Sequence, residues 1–283
     1  MKIFNTIAEL QSELNSHRDE KIALKVGLVP TMGNLHKGHI SLVNIARQHA
    51  DIVVVSIFVN PTQFGVGEDF DSYPRTLDDD LAQLKTAGAD IVFAPSVNEM
   101  YPTYPPNVQV LSGGMAQILC GKSRPTHFDG VGLVVGKLFN IVRPDVAIFG
   151  KKDYQQLAII RQLNDELNFG IKIIGAEIVR ADDGLALSSR NGYLTPDKRA
   201  IAPVINQTLQ KIKADILTAD FENYANIMQK YHNDLTNLGL TVDYLELYND
   251  RLQAPTPDDK NLVVLTAVFV GKARLLDNLE ITL

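Results

Sequence analysis

The order of apolar and polar runs predicts a doubly wound α/β domain followed by a smaller α+β domain. Three observations carry this expectation. Short β-branched runs alternate with helix-like stretches over the first 180 residues or so. A polar, turn-rich segment, RADDGLALSSRNGYLTP (180–196), ends that alternation. The rest of the chain reads as helices and then closely spaced strands. Strand–helix alternation at this spacing implies βαβ units, a parallel sheet and helices on both of its faces. Right-handed crossovers then give the doubly wound arrangement.

The strand-like runs are KIALKVGLV (21–29), DIVVVSIFV (51–59), DIVFAP (90–95), DVAIFG (145–150) and IKIIGAEIV (171–179). Helix-like stretches lie between them at 38–50, 76–88, 127–142 and 153–168. After the polar segment come two helical stretches, roughly 196–216 and 219–238, and strands at 241–249, 261–270 and 272–283. The expected division is therefore 1–179 and 180–283. No internal repeat or low-complexity tract interrupts either part.

Composition sets further bounds. At roughly 100–200 residues per domain, 283 residues suggest about two domains. With 45% hydrophobic and 21% charged residues, the chain has the balance of a soluble globular protein. The formal net charge of −6 argues against non-specific nucleic-acid binding, which depends on Lys and Arg displacing phosphate counterions. A local basic pocket for a small anion remains compatible with it. The single cysteine excludes an intrachain disulfide and fits a reducing compartment. The opening residues carry no signal-peptide core, and no apolar run approaches the ~18 residues of a membrane helix. A cytoplasmic protein is expected.

Ligands of doubly wound folds sit outside the carboxyl ends of the strands, so chemistry is sought just after each strand. The first strand runs into Pro30-Thr31-Met32-Gly33-Asn34-Leu35-His36-Lys37-Gly38-His39. His36 and His39 are spaced to share one side of a helix start. Gly33 suits a tight turn, and Gly38 lets a base or phosphate approach the backbone. The helix N-terminus favours an anion, and two imidazoles can donate to a phosphorus centre as charge builds. A capped loop with surface histidines fits the same residues; a zinc site lacks a third ligand or a Cys cluster. Asn60 and Gln63 follow the second strand, where amides can meet a carboxylate, hydroxyl or amine; an Asn-Pro turn explains them equally. Acidic residues after Thr76 suit a helix start. They also suit a Mg²⁺ site at Asp79, Asp80 and Gln83, completed by water or nucleotide phosphate. Gly150 precedes Lys152, Asp153 and Gln156 at a helix start, either a charged cap or a phosphate and ribose contact. Ser188, Ser189 and Arg190 lie in the polar link, either plain linker or a loop for transient phosphate binding.

Taken together, these segments resemble the pantoate–β-alanine ligase (pantothenate synthetase) family. P-T-M-G-x-L-H-x-G-H matches 30–39, V-N-P-x-Q-F matches 59–64, and Y-P-R-T with following acids matches 73–80. Arg124-Pro125-Thr126-His127-Phe128 resembles R-P-G-H-F with Thr126 for glycine. F-G-x-K-D-Y-Q-Q matches 149–156, and L-S-S-R-N matches 187–191. The H-x-G-H element alone indicates only the wider nucleotidyltransferase superfamily. Asn34 and Lys37 stand where the family more often has Ala and Glu.

The resemblance implies a Rossmann-like nucleotidyltransferase that joins D-pantoate to β-alanine, with ATP split to AMP and pyrophosphate in the presence of Mg²⁺. Pantoyl adenylate is the implied intermediate. It places Met32, Gly33, Leu35, His36, Gly38, His39, Gly150, Lys152, Asp153 and Val179 at ATP, with Leu187, Ser188, Ser189 and Arg190 as a mobile phosphate loop. The family's described proton donor aligns with His39; the narrower role read here is that His36 and His39 donate hydrogen bonds to phosphate. Gln63 is implied to contact pantoate and β-alanine, and Gln156 pantoate, with Asn60, Arg124 and His127 in the same cavity. A homodimer is implied as well. Another nucleotidyltransferase, stopping after nucleotide transfer, and a silent nucleotide-binding module are the competing readings.

Overall fold

The computed structural model describes residues 1–65 and 67–283. It divides into two compact units: Met1–Lys151 with Gln155–Glu177, and Lys152–Tyr154 with Ile178–Leu283. A cut at 179/180 misses one feature of this division. Residues 152–154 group with the second unit although they lie in the first by sequence.

The chain begins with β1 (Lys2–Phe4), α1 (Ile7–Glu20), β2 (Val26–Thr31), α2 (Lys37–His49), β3 (Ile52–Ile57) and α3 (Leu77–Ala87). It continues through β4 (Ile91–Phe93), α4 (Val97–Met100), α5 (Leu119–Ser123), α6 (His127–Val142), β5 (Val146–Gly150), α7 (Tyr154–Glu166) and β6 (Lys172–Ala176). The six strands form a parallel sheet in the order β1-β4-β3-β2-β5-β6. The chain winds outward from β2 in one direction to β3 and β4, and in the other to β5 and β6. The switch point therefore lies between β2 and β5, whose carboxyl ends open the crevice used by this class of fold.

The alternation of strand side chains explains why both sheet faces are covered. Val26 and Leu28, Ile52 and Val54, and Ala147 and Phe149 join Leu10 and Leu14 of α1 and the apolar side of α6 in one core. Val29, Val53, Val55, Val146 and Ile148 pack with Leu42, Val43 and Ala46 of α2 and Leu84 of α3 in another. Strand β1 and helix α1 were not expected. The strand is three residues long, and the helix buries only Leu10 and Leu14 beneath a polar face.

The second unit adds α8 (Pro196–Ile201), α9 (Val204–Ile216), α10 (Tyr224–Asn237), β7 (Thr241–Asn249), β8 (Asn261–Val270) and β9 (Ala273–Thr282). The strands form an antiparallel sheet, β7-β8-β9. Its core joins Ile205, Leu209 and Ile212 to Tyr231, Leu235, Val264, Val268, Leu275 and Ile281. No helix among the described residues is long and apolar enough to cross a membrane.

One close approach ties α6 to a 3₁₀ turn at Pro61–Gln63. A Cβ on Gly130 would stand 2.2 Å from the Thr62 carbonyl oxygen and 2.6 Å from the Gln63 nitrogen, both rigid backbone atoms. At Gly136, one and a half turns later, the nearest atom is 3.9 Å away. Gly130→Ala is expected to destabilise by about 1–3 kcal/mol through overpacking. Gly136→Ala is expected to stabilise by up to about 1 kcal/mol through helix propensity. Urea unfolding of both variants checks this; equal midpoint shifts would contradict the close-approach argument.

Candidate active site

The first site element is the turn from β2 into α2. His36 is the N-cap of α2, and its Nδ1 accepts from the Gly38 N–H at 3.1 Å. In return, the His39 Nδ1 accepts from the His36 N–H at 3.3 Å. The two rings lie 4.1 Å apart between centroids. A backbone N–H can only donate, so each Nδ1 must be the unprotonated nitrogen. Both imidazoles are therefore assigned as neutral, with the proton on Nε2. The reciprocal cap turns two histidines into two oriented N–H donors.

Two expectations for this turn change. A Cβ on Gly38 would stand 2.8 Å from His36 Cε1, so the missing side chain makes room for the His36 ring. The Gly38 and His39 N–H groups are taken by His36 Nδ1 and the His36 carbonyl. The start of α2 thus presents imidazoles and its dipole more than bare amides.

Asp80 holds the turn from below. It is 1% exposed; its Oδ2 accepts from the Asn34 N–H at 2.9 Å and its Oδ1 from the Leu35 N–H at 2.7 Å. The Gln83 amide donates to the Leu35 carbonyl at 3.4 Å. Gly33 has φ +78°, and Asn34 has φ +50°, which asparagine tolerates better than most residues. Asp79, in contrast, is exposed. Asp79, Asp80 and Gln83 do not form a closed cage, and no group of three His, Cys, Asp or Glu among the described residues could hold a metal by itself. Each Asp80 oxygen retains a second lone pair beside its N–H partner, and Mg²⁺ commonly takes one or two carboxylates, with water and phosphate completing its shell. The trio fits that partial role.

The next element follows β3. Asn60, buried, donates from Nδ2 to Gln63 Oε1 (3.0 Å) and the Gly130 carbonyl (3.1 Å). Its Oδ1 accepts from the Thr62 hydroxyl at 3.0 Å and the Tyr101 hydroxyl at 2.9 Å. Asn60 is fully engaged as a bracket for Gln63. Gln63 in turn sends Nε2 toward the Met32 sulfur at 3.2 Å, a weak acceptor that a polar ligand can displace.

Arg124 and His127 lie beside Gln63. His127 Nδ1 is 2.7 Å from the Gln63 carbonyl oxygen, and its Nε2 is 3.0 Å from Arg124 Nη1. Arginine only donates, so His127 carries its proton on Nδ1. Arg124 also grips Glu68 with two parallel bonds, Nε to Oε1 at 2.7 Å and Nη2 to Oε2 at 2.6 Å. The guanidinium holds the Glu68 carboxyl below the usual carboxylate range against the opposing effect of burial. Thr126, just before His127, has φ +69°, a left-handed backbone that glycine adopts freely and a β-branched residue only under strain.

At the end of β5, Gly150 pairs with Ala176 of β6. Adjacent glutamines on α7 then diverge. Gln155 is buried and consumed: its Oε1 accepts from the Cys120 N–H, and its Nε2 donates to the Met115 and Ile118 carbonyls. Gln156 is half-buried, and its side chain makes no hydrogen bond among the described residues.

The remaining residues belong to the second unit. The half-buried Lys152 has its Nζ 3.8 Å from Asp153 Oδ2. The Val179 carbonyl accepts from the Leu187 N–H, and Ser188 caps a 3₁₀ turn, Ser189–Tyr193, by accepting from the Arg190 N–H at 3.3 Å. Sequence reasoning missed Arg180, Asp277 and Asn278. Arg180 donates to both Asp277 oxygens (2.7 and 2.8 Å), and Asn278 donates to the Lys152 carbonyl (3.0 Å). The available signal was an adjacent Asp-Asn pair in the middle of the last strand, between Leu276 and Leu279.

Comparison with known proteins converges on one family. A sequence model of the family described as pantoate-beta-alanine ligase matches residues 2–280. A pantothenate synthetase from Psychrobacter sp. is 58% identical over 283 residues, covering 98% of each chain. One from Acinetobacter baumannii is 50% identical, covering 99% of this chain and 98% of its own. The pantothenate synthetase structure from Thermus thermophilus superposes with a TM-score of 0.89 at 40% identity over the whole of both chains. The Francisella tularensis pantoate-beta-alanine ligase, complexed with beta-gamma ATP and beta-alanine, gives 0.78 at 36% identity over 99% of this chain and 97% of its own. The chain belongs to the pantoate–β-alanine ligase family.

Proposed function

We propose that the chain condenses D-pantoate with β-alanine in two steps on ATP. The carboxylate of pantoate attacks the α-phosphorus, the bond to the β-phosphate oxygen breaks, and pyrophosphate leaves with that electron pair. The β-alanine amine then attacks the acyl carbon of pantoyl adenylate, loses a proton, and expels AMP. Adenylation is needed because a free carboxylate is a poor acyl donor. The observation that carries this reading is the reciprocally capped His36–His39 pair beside the switch point, with an N–H on each Nε2. Neutral donors gain strength as negative charge collects on the phosphate in the transition state.

The other residues divide by chemistry. Lys152 and Arg190 supply permanent positive charge for the triphosphate, with Ser188 and Ser189 as hydroxyl donors. Leu187, Val179, Gly150 and Asp153 complete the nucleotide contacts, together with Met32, Gly33, Leu35 and Gly38. Gln63 and Gln156 offer amides to pantoate, and Gln63 also to β-alanine. Asn60, His127 and Arg124 hold that wall in place. Asp80, with Asp79 and Gln83, would hold Mg²⁺, which when bound offsets phosphate charge. The beta-gamma ATP and β-alanine complexed with the Francisella relative support the nucleotide and amine assignments by kinship. We also propose a cytoplasmic homodimer on the family resemblance; light scattering should give about twice the 31.2 kDa chain mass.

The experiment that tests the reaction is pyrophosphate release from ATP with pantoate and β-alanine supplied together and singly. Pantoate alone is expected to support adenylation, and pantothenate to form only with both. Release supported only by some other acid would overturn the substrate assignment.

His39→Ala and Lys152→Ala are each expected to lower kcat by roughly 10²–10³-fold, the usual loss for a stabiliser of transition-state charge. Near-normal turnover in both would show the roles to be wrong. Gln63→Ala is expected to raise KM for pantoate and β-alanine while leaving KM for ATP near the parent value. A rise confined to ATP would reassign the residue.

A further inference from the structure

Strand β9 contains an anomaly. Its side chains alternate between the helix-covered face (Ala273, Leu275, Ile281) and a more open face (Arg274, Leu276, Glu280, Thr282). Asp277 falls on the first face and Asn278 on the second, yet both are buried, at 4% and 3% exposure. A carboxylate on an apolar face is costly unless it is paired, and a buried pair seldom beats well-packed hydrocarbon for stability. What the pair does fix is geometry.

Asp277 holds Arg180 in a two-bond fork, and Arg180 also donates to the Gly184 carbonyl at 3.1 Å. The Asn206 amide oxygen, turned toward the guanidinium, accepts from it at 2.9 and 3.2 Å. These bonds engage both terminal nitrogens of the guanidinium at the root of a short loop. The Arg180–Ala186 bridge closes that loop, with bonds from the Ala181 N–H to the Leu185 carbonyl and from the Leu187 N–H to the Val179 carbonyl. The chain leaves it directly into Ser188-Ser189-Arg190, whose turn packs on β9. Asn278 lies one residue along, and its carbonyl is 3.5 Å from Arg180 Nη2. Its Nδ2 donates to the Lys152 carbonyl at 3.0 Å, while its own N–H is anchored on Asp277 Oδ1 at 2.8 Å. That contact helps explain why residues 152–154 belong to the second unit.

We propose that Asp277 and Asn278 are positioning residues for adenylation: through Arg180 and the Lys152 carbonyl, one dipeptide sets the phosphate-binding turn and the phosphate-binding lysine in a common frame. The proposal rests on the adenylation reading above. Aminolysis of a ready-made adenylate makes no use of the pyrophosphate-side contacts, so the two half-reactions separate a positioning role from a merely structural one.

The test compares wild type, Asp277→Asn and Asn278→Leu in pantoate-dependent ATP–pyrophosphate exchange and in pantothenate formation from supplied pantoyl adenylate and β-alanine. A displacement of about 1 Å at a reacting group costs on the order of 10²-fold. Exchange kcat is therefore expected to fall roughly 10- to 100-fold in both variants, with aminolysis within about threefold of wild type. Asn278→Ser, which keeps a donor, should recover part of the exchange. Equal loss in both half-reactions, or no loss in either, would overturn the proposal. If Asp277→Asn melts below the assay temperature, Asn278→Leu on the more open face decides alone. A wild type without pantoate-dependent exchange would bring down the adenylation reading itself, and this inference with it.

Discussion

The reciprocal cap between His36 and His39 is the constraint on which the rest of the site depends. A histidine can be a donor, an acceptor or a cation near neutral pH, and an adenylating site needs only the first. Each Nδ1 is occupied by a backbone N–H of the same helix turn. The proton location is thus written into the helix start and not left to the ligand. Replacing either ring by a non-acceptor also frees the backbone N–H it capped, so one substitution disturbs both the donor and its support.

Beneath this pair the structure repeats one device: a buried polar side chain whose hydrogen bonds fix a stretch of backbone. Asp80 does so for the Asn34–Leu35 turn, Asn60 for the Pro61–Gln63 turn, and Gln155 for the segment at Met115–Cys120. Leaving such a group without its partner costs about 1–3 kcal/mol, against a net gain of only about 1 kcal/mol for an ordinary bond. These brackets therefore contribute less to overall stability than to the fixing of loops that would otherwise sample many conformations. Gln63 and Gln156, the groups proposed to meet the substrates, sit one or a few residues from a bracket.

The legible part of this structure was the part governed by periodicity. Val26, Leu28, Ile52 and Val54 announce their strands because every second residue must be apolar on a covered sheet. The His36–His39 spacing, Gln63 and Lys152 stood out because strand ends are where such folds do chemistry. Strand β1 was not legible, since three residues carry no measurable alternation, and α1 buries too few apolar residues to show. Asn60 looked like a lining residue because sequence gives the type of a side chain and not its partners; saturation by Gly130, Gln63 and Tyr101 depends on segments up to 70 residues away. Gly38 was misread for the same reason, its empty position being filled by a ring two residues before it.

The two kinds of phosphate partner proposed above serve different ends. In the proposed roles, Lys152 and Arg190 meet a triphosphate that is already charged in the ground state, so much of their attraction is felt before the reaction. That part lowers KM without raising turnover. The imidazole N–H groups are neutral and gain most when charge accumulates on the α-phosphate, which is the condition for raising kcat. A site with cations alone would bind triphosphate tightly and react slowly; one with histidines alone would lack the charge to retain it. The helix start supplies the second kind of group in the first unit. In the proposed roles, the turn at Lys152 and the turn at Ser188–Arg190, both in the second unit, are of the first kind. Two small pieces of polar scaffolding, Asp80 for one and the Asp277–Asn278 pair for the other, are what allow each kind to be held still.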